Sequence, residues 1–240
     1  MRTETFETPE PPSLHINLPC GSFNIYTSDT DQTRVELSGP NEDDARIEFR
    51  RNEIVVEIEW KKLFGRANFV RDHRLEIYAP NGSQIDAQTA SGDVEGRGTF
   101  GGVSIDSASG DIRLERVDGR FEANTASGDV QVESVGDAAR VNSASGVVDL
   151  GEVESDAKIR TASGGIQIRS AVEGKIDIQS ASGDIQIGIR RGSSVYIDAS
   201  SMSGDMSSDL DVSDQPPQSD GPTMDFRART MSGDITLRRA

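Results

Sequence analysis

The sequence predicts an all-β protein, a single-stranded parallel β-solenoid (β-helix-like) with about 18 residues per coil and an irregular β-rich N-terminal part. Two observations predict this fold. The tripeptide Ser-Gly-Asp, or a near copy of it, recurs with successive glycines separated by 18, 18, 18, 18, 19, 21 and 29 residues. Polar and apolar residues alternate on both sides of that glycine, as in a strand that shows one face to a core. One coil has too little apolar surface to offset the entropy lost on ordering it, so coils must stack.

Each coil is expected to contain one strand that leads into the repeated glycine and one that leaves it. Apolar residues stand seven and five positions before the glycine, and two and four positions after it. Around Gly128 these residues are Phe121, Ala123, Val130 and Val132. Because the same columns recur in successive coils, equivalent side chains should lie above one another in the core.

The Ser-Gly-Asp tripeptide is predicted to form the corner between the two strands. Glycine accepts a positive φ at no steric cost, and the short aspartate side chain can bond backbone N–H groups of the bend. A hydroxyl residue three positions before each glycine predicts a ladder at the edge of the core. Val147 and Gly165 replace the aspartate in two coils. The predicted structural turn residues are Gly92, Asp93, Gly110, Asp111, Gly128, Asp129, Gly183, Asp184, Gly204, Asp205, Gly233 and Asp234.

The chain is expected to form one structural domain with two unequal parts. Residues 1–80 are predicted to form irregular β-rich coils and a cap, and residues 81–240 the regular solenoid. Gly21 and Gly92 lie 71 residues apart, close to four periods, so the first part is interpreted as a less regular continuation that also covers the solenoid end. Residues 207–222 are acidic and rich in turn formers, which predicts a loop before a final coil at 226–237.

The only concentrated basic and aromatic stretch lies at residues 60–74. Its apolar residues fall at helical spacing, although Gly65 weakens a helix. Two interpretations stay open: an amphipathic segment that docks on a membrane surface or a protein partner, or a strand connection whose apolar residues plug the solenoid end. The candidate docking residues are Trp60, Lys61, Lys62, Phe64, Arg66, Phe69 and Arg71.

The composition limits the possible partners. A net charge of −16 argues against nucleic acid, because phosphate binding needs clustered Lys and Arg. No apolar run is long enough to span a membrane, and no secretory signal is visible. The expected localisation is therefore the cytoplasm, including the inner face of the cell envelope. Cys20 is the single cysteine, so no intrachain disulfide can form.

No catalytic, cofactor-binding or metal-binding residues are predicted. His15 and His73 are far apart in the sequence and lie beside no Cys or His at metal-ligand spacing. The corner aspartates could be compared with acidic Ca²⁺ repeats, but each coil offers one carboxylate and the series breaks at Val147 and Gly165, which favours corner capping. The many serines belong to the corner repeat. An enzyme is therefore not expected.

The columns and corners together resemble the bacterial putative-adhesin family of β-strand-repeat domains, called toastrack domains and of unknown function. The resemblance is carried by Thr89–Val94, Ser107–Ile112, Thr125–Val130, Ser180–Ile185 and Thr230–Ile235. It implies a parallel β-solenoid with a non-catalytic scaffold or interaction role in cell-envelope organisation or stress signalling. Two alternatives stay open: an extracellular adhesin-like binding protein, and a glycan-active β-helix enzyme with a cleft of non-repeated polar residues.

Overall fold

The computed structural model describes residues 1–39, 42–58, 73–210 and 222–240. Within these ranges the protein is built from strands, with one short 3-10 helix at Glu42–Asp44. The strands are β1 (Arg2–Glu7), β2 (Ser13–Asn17), β3 (Cys20–Ser28), β4 (Gln32–Ser38), β5 (Arg46–Arg50), β6 (Glu53–Glu57), β7 (His73–Pro80), β8 (Gln84–Phe100), β9 (Gly102–Ser109), β10 (Ile112–Val117), β11 (Phe121–Ser127), β12 (Val130–Val135), β13 (Ala139–Ser145), β14 (Val148–Val153), β15 (Ala157–Ser163), β16 (Ile166–Ala171), β17 (Gly174–Ser182), β18 (Ile185–Ile189), β19 (Ser194–Ser203), β20 (Met206–Ser208), β21 (Thr223–Ser232) and β22 (Ile235–Arg239).

Two parallel ladders run through the stack of coils. The first ladder contains the strands that enter the corners, in the spatial order β2, β8, β9, β11, β13, β15, β17, β21 and β19. The second ladder contains the strands that leave them, in the order β3, β8, β10, β12, β14, β16, β18, β22 and β20. The long strand β8 passes through its own corner and joins both ladders. The predicted all-β parallel solenoid is confirmed.

The apolar columns lie buried between the ladders. Phe121, Ala123, Val130 and Val132 expose no more than 1% of their surface. The register follows the sequence period, since Phe121 lies opposite Ala139 in the next coil. The core also contains a column seven positions after the glycine, which the sequence interpretation did not include. Its members are Val117, Val135, Val153 and Ala171.

The N-terminal part adds an outer coil and antiparallel strands. β6 and β7 extend the first and second ladders beyond β2 and β3. The strand β4 pairs antiparallel with β7 and with β1, and β5 pairs antiparallel with β6. Gly21 lies directly opposite Gly92 in the neighbouring coil. The interpretation that about four coils separate these glycines is therefore wrong, because they belong to neighbouring coils. The described residues between them include the outer strands β6 and β7 and the antiparallel strands β4 and β5. A boundary at residue 80 stays a prediction.

The C-terminal coils are not stacked in chain order. β21 pairs with both β17 and β19, so the coil of β21 and β22 is inserted before that of β19 and β20. The expectation that residues 226–237 form the final coil is wrong. The physical reason is burial: Phe226 is fully buried in its inserted position, whereas Ile197, the equivalent residue of the outermost coil, is 36% exposed. The more apolar coil occupies the position with a neighbour on both sides.

The predicted loop at residues 207–222 begins within a strand. Ser207 and Ser208 belong to β20, and Leu210 is largely buried. Residues 211–221 of that loop lie outside the described residues. In the described part of the chain, no helix has the length and apolar character needed to cross a membrane.

Candidate functional site

A long groove runs along the outward face of the first ladder, just before the corners. It has a volume of about 1080 Å³ and crosses six coils, from β8 to β17. At about 4.8 Å per coil, its length is roughly 24 Å. Three columns line it: polar side chains four positions before the repeated glycine, hydroxyl residues three before and alanines two before. The alanines are Ala90, Ala108, Ala126, Ala144, Ala162 and Ala181.

The groove exists because the strands lose their alternation at the corner. In β11, Thr125 is still buried, but Ala126 and Ser127 that follow it are both exposed. An alanine methyl group is short, so the column of alanines forms a trough beside the longer side chains of the next outward column. In the next two coils, the alanine position is taken by Met231 and Met202, which expose 60% and 83% of their surface. The trough ends at these larger side chains.

The hydroxyl column contains two exceptions that point to a ligand. Four consecutive members donate hydrogen bonds of 3.0 to 3.2 Å to the carbonyl oxygen two residues later, and they are Ser107, Thr125, Ser143 and Thr161. Thr89 Oγ1 and Ser180 Oγ are equally buried, at 8% exposure each, but have no hydrogen-bond partner. Both line the groove, one near each end. Because a buried unpaired hydroxyl costs about 1–3 kcal/mol, each would gain from a ligand oxygen if rotation about χ1 turned it toward the groove.

The polar column carries a chain of amide hydrogen bonds. Asn124 donates through Nδ2 to Asp106 at 2.8 Å, and Asn142 donates through Nδ2 to Asn124 at 2.8 Å. The Asp106 carboxylate polarises this chain, which strengthens it. Arg160 follows Asn142 in the column, directly opposite it on β15. Along the groove, this column therefore changes from carboxylate and amide side chains to the guanidinium group of Arg160.

The predicted corner aspartates lie on the other side of the corner and connect successive coils. The backbone N–H of Asp111 donates to Asp93 at 2.9 Å, that of Asp129 to Asp111 at 3.0 Å, and that of Val147 to Asp129 at 2.8 Å. The same pattern links Asp234 to Asp184. The bond from the Asp129 backbone, with help from the Arg113 guanidinium, lowers the pKa of Asp111 below its ordinary value. These carboxylates hold coils together and do not face the groove.

The corner glycines meet two separate requirements. Gly128 has a φ of 135°, and a Cβ there would collide with the carbonyl oxygen of Gly110 in the preceding coil. Gly92 does not have a positive φ, but a Cβ on it would still collide with the carbonyl oxygen of Gly21. The close stacking of corners, as much as the bend itself, therefore requires glycine.

No other sequence-derived candidate within the described residues lines this groove. The docking residues Trp60, Lys61, Lys62, Phe64, Arg66, Phe69 and Arg71 lie outside the described residues. His15 is exposed beside Asp86, and His73 is buried at the second ladder. Over the described ranges, no group of three or more His, Cys, Asp or Glu side chains could hold a metal ion.

The groove itself was missed by the sequence interpretation, although a signal was present. An alanine stands two positions before the glycine in six successive coils. A column of small residues beside a corner does not show which way its side chains face, so this signal did not identify a groove. The unbonded state of Thr89 and Ser180 has no sequence signal, because other members of the same column are bonded.

Comparison with known proteins places the chain in a family. The family model described as Toastrack DUF4097 matches residues 13–238. The chain belongs to this toastrack family. The match includes both ladders and all six coils of the groove. The resemblance inferred from the corner motifs is therefore confirmed. No curated protein matches the chain significantly.

Solved structures share the toastrack fold at low sequence identity. A “putative adhesin” from Bacteroides fragilis is 16% identical, with a TM-score of 0.61, over 98% of this chain and 96% of its own. Another, from Parabacteroides merdae, is 13% identical, with a TM-score of 0.59, over 98% and 95% of the two chains. A “putative lipid binding protein” from Parabacteroides distasonis is 12% identical, with a TM-score of 0.56, over 98% and 96%. At these identities the likeness establishes the fold.

Proposed function

We propose that this toastrack domain is a non-catalytic binding module whose groove holds an extended glycan chain. The observation that carries the proposal is the pair of buried hydroxyl groups of Thr89 and Ser180, which line the groove without a hydrogen-bond partner. Hydroxyl and amide groups both donate and accept, as sugar hydroxyls do. The names of the solved relatives, adhesins and a lipid-binding protein, support a binding role.

The spacing of the groove favours a glycan over a peptide. Equivalent side chains repeat at about 4.8 Å along the solenoid. The rings of an extended β-1,4-linked glycan advance by a similar length, and because successive rings face opposite ways, one face of the glycan recurs every second ring, in step with every second coil. A β-extended peptide presents side chains on one face every two residues, or about 6.6 Å, which is out of step with the coils. The groove floor also consists of side chains rather than a strand edge, so a peptide could not bind it by strand addition.

The lining of the groove supports binding without hydrolysis. Most glycoside hydrolases use two carboxyl groups that flank one glycosidic bond. Among the described lining residues, Asp106 carries the single carboxylate, and it accepts the hydrogen bond from Asn124. This arrangement favours the binding hypothesis over the glycan-active enzyme that the sequence left open.

Titration of linear six-ring oligosaccharides, including cellohexaose and the hexamer of β-1,4-linked glucuronate, would test the proposal by calorimetry. The variant Ala126→Trp fills the middle of the trough, and Gln131→Trp adds the same ring to an exposed position of the second ladder. We expect Ala126→Trp to weaken binding by about tenfold or more and Gln131→Trp to leave it unchanged. Absence of binding by every oligosaccharide, or equal binding by both variants, would refute the groove as the site.

The cellular setting of this binding is a separate proposal. A glycan ligand fits the cell envelope, which the family resemblance implies, and favours the adhesin-like alternative over a cytoplasmic location. Fractionation of cells that produce the protein would distinguish the two. Capture of partners with and without residues 60–74 would test the docking hypothesis, because unchanged capture would remove that segment from the binding surface.

A further inference from the structure

We infer, on the basis of the proposed function, that the glycan is acidic and that its carboxylates bind beside the groove at Arg140, Lys158 and Arg160. These three residues form a cationic cluster on the outward face of β13 and β15. Arg160 lines the groove, and Lys158 lies two residues before it on the same face of β15. Arg140 lies directly opposite Lys158 on the neighbouring strand. Arg140 and Arg160 are exposed, and Lys158 is partly exposed.

The cationic cluster has no partner among the described residues. Several other arginines of the solenoid pair with a carboxylate two residues away, as Arg113 does with Asp111 at 2.7 Å and Arg227 with Asp225 at 3.0 Å. Others, such as Arg229, form no ion pair with a described residue. None of Arg140, Lys158 and Arg160 forms an ion pair or hydrogen bond with a described residue. Like charges directly opposite on adjacent strands destabilise a sheet. The protein has 41 acidic and 25 basic residues, yet it places these three cations side by side, where their repulsion destabilises the sheet locally.

Two carboxylates flank the cluster and limit how much of its charge is available. Glu122 lies opposite Arg140, and Asp177 lies opposite Lys158. Neither forms an ion pair with the cluster in the structure. Arg160 lies between Asn142 and Gln179 in its own column, so its nearest groove neighbours are neutral. Acidic residues farther than about 8 Å from the cluster are largely screened at physiological ionic strength.

The cluster spans two adjacent coils, which suits the one carboxylate that a β-1,4-linked polyuronate turns toward the protein in every two rings. Guanidinium groups form two parallel hydrogen bonds to a carboxylate, which adds both strength and orientation. If each ring advances by about one coil, the carboxylates on the face turned toward the protein recur every second coil, so one of them falls within the span of β13 and β15. Among the described groove residues none is aromatic, so stacking of nucleic-acid bases has no platform there. An acidic glycan therefore fits better than a single-stranded nucleic acid.

The test compares cellohexaose with the hexamer of β-1,4-linked glucuronate, which differs from it by one carboxylate per ring. We expect the wild-type protein to bind the uronate about tenfold tighter or more, because its carboxylates form charge-assisted hydrogen bonds that the neutral hexamer cannot form. The variant Arg140→Gln/Lys158→Gln/Arg160→Gln should bind both hexamers with the affinity that the wild type has for cellohexaose, and Arg140→Gln/Arg160→Gln should lose most of the preference for the uronate. The control Arg97→Gln/Arg113→Gln removes the same charge from the second ladder and should keep the preference.

The outcomes separate this inference from the function on which it rests. Equal affinity of the wild type for both hexamers, or a preference that survives in Arg140→Gln/Arg160→Gln, would overturn the acidic ligand while leaving glycan binding intact. Tighter binding of a six-nucleotide single-stranded DNA than of the uronate would also overturn it. Whether glycans bind in the groove at all is tested separately, by measuring the binding of cellohexaose to Ala126→Trp.

Discussion

Asp111 accepts, through Oδ1, a 3.0 Å hydrogen bond from the backbone N–H of Asp129, the equivalent corner residue one coil further along. The two residues lie in successive coils, 18 residues apart in the chain, so the bond connects one coil to the next. Repeated at most corners, it aligns the coils laterally, while the strand ladders fix their separation. The repeated aspartate therefore stabilises the stack of coils rather than the bend within one coil.

Replacing Asp111 should make stability depend on pH in a defined way. We expect Asp111→Ala to lower the free energy of unfolding by about 1 kcal/mol near neutral pH, a modest effect because the side chain is partly exposed. The folded pKa lies below the ordinary value of 3.8, so the stabilisation is complete above that value and is lost as the pH falls through the folded pKa. Denaturant titrations of wild type and variant should converge at low pH. Asp137→Ala, in an exposed turn, is the control, and a pH-independent difference would contradict the assignment.

The interrupted corner offers a gain of stability. Val147 occupies the aspartate position of its corner and is 46% exposed. It therefore offers no carboxylate to the backbone N–H of Gly165, the equivalent residue of the next coil. We expect Val147→Asp to raise the free energy of unfolding by about 0.5–1.5 kcal/mol by supplying the missing acceptor. Val147→Ala, which supplies none, should not. Thermal and denaturant unfolding would measure both, and equal stability of the two variants would show that the corner bond contributes little.

The repeat made the ladders predictable. A period of 18 residues with alternating apolar positions specifies that Phe121 lies opposite Ala139, and the structure has this register. The order of coils was not predictable where the connections are long. The coils containing Ile197 and Phe226 share the same columns, and column membership does not say which coil has two neighbours. Gly21 and Gly92 show the same limit. They lie directly opposite each other in neighbouring coils, although their spacing of nearly four periods suggests that several coils separate them.

The groove was less accessible to sequence analysis than the core. Inward columns are apolar and easily recognised, whereas Ala126 is as compatible with a buried as with an exposed position. Its exposure follows from the loss of alternation at the corner, which depends on backbone geometry. Whether a hydroxyl such as that of Thr89 finds a partner depends on its rotamer and on local distances, and composition does not specify either.

Two glycines allow backbone strain to be separated from steric collision. Gly192 has a φ of 91° with no heavy atom near the position of a Cβ, whereas Gly128 has a φ of 135° and faces the carbonyl oxygen of Gly110. We expect Gly192→Ala to lower the free energy of unfolding by about 1–2 kcal/mol through strain alone. Gly128→Ala should lower it further, because the coils must also move apart. Equal losses in denaturant titrations would mean that coil contact imposes no requirement of its own.

The inserted coil predicts an order of hydrogen exchange that runs against the chain order. The amides of β21 are enclosed between β17 and β19, while β19 pairs with β21 on one side in the described structure. Buried, doubly paired strands open mainly by global unfolding, and exposed outer strands open locally. We therefore expect amides around Phe226 to exchange much more slowly than those around Ile197. Mass-spectrometric exchange on peptic peptides would show this, and stronger protection around Ile197 would be incompatible with the coil order.

The hydroxyl column allows stability and binding to be separated in one pair of variants. Thr125 donates to the Ser127 carbonyl oxygen at 3.2 Å, so Thr125→Val should lower the free energy of unfolding by about 1 kcal/mol. Thr89 has the same burial without a partner, so Thr89→Val removes an unpaired polar group and should be neutral or stabilising.

If the Thr89 hydroxyl binds a ligand, Thr89→Val should also weaken binding of the six-ring oligosaccharide that the wild type binds best. Denaturant titration and calorimetry on both variants measure the two effects. Destabilisation by Thr89→Val comparable to that of Thr125→Val would mean that the Thr89 hydroxyl is satisfied within the protein, and the groove would then lose its main evidence for a ligand.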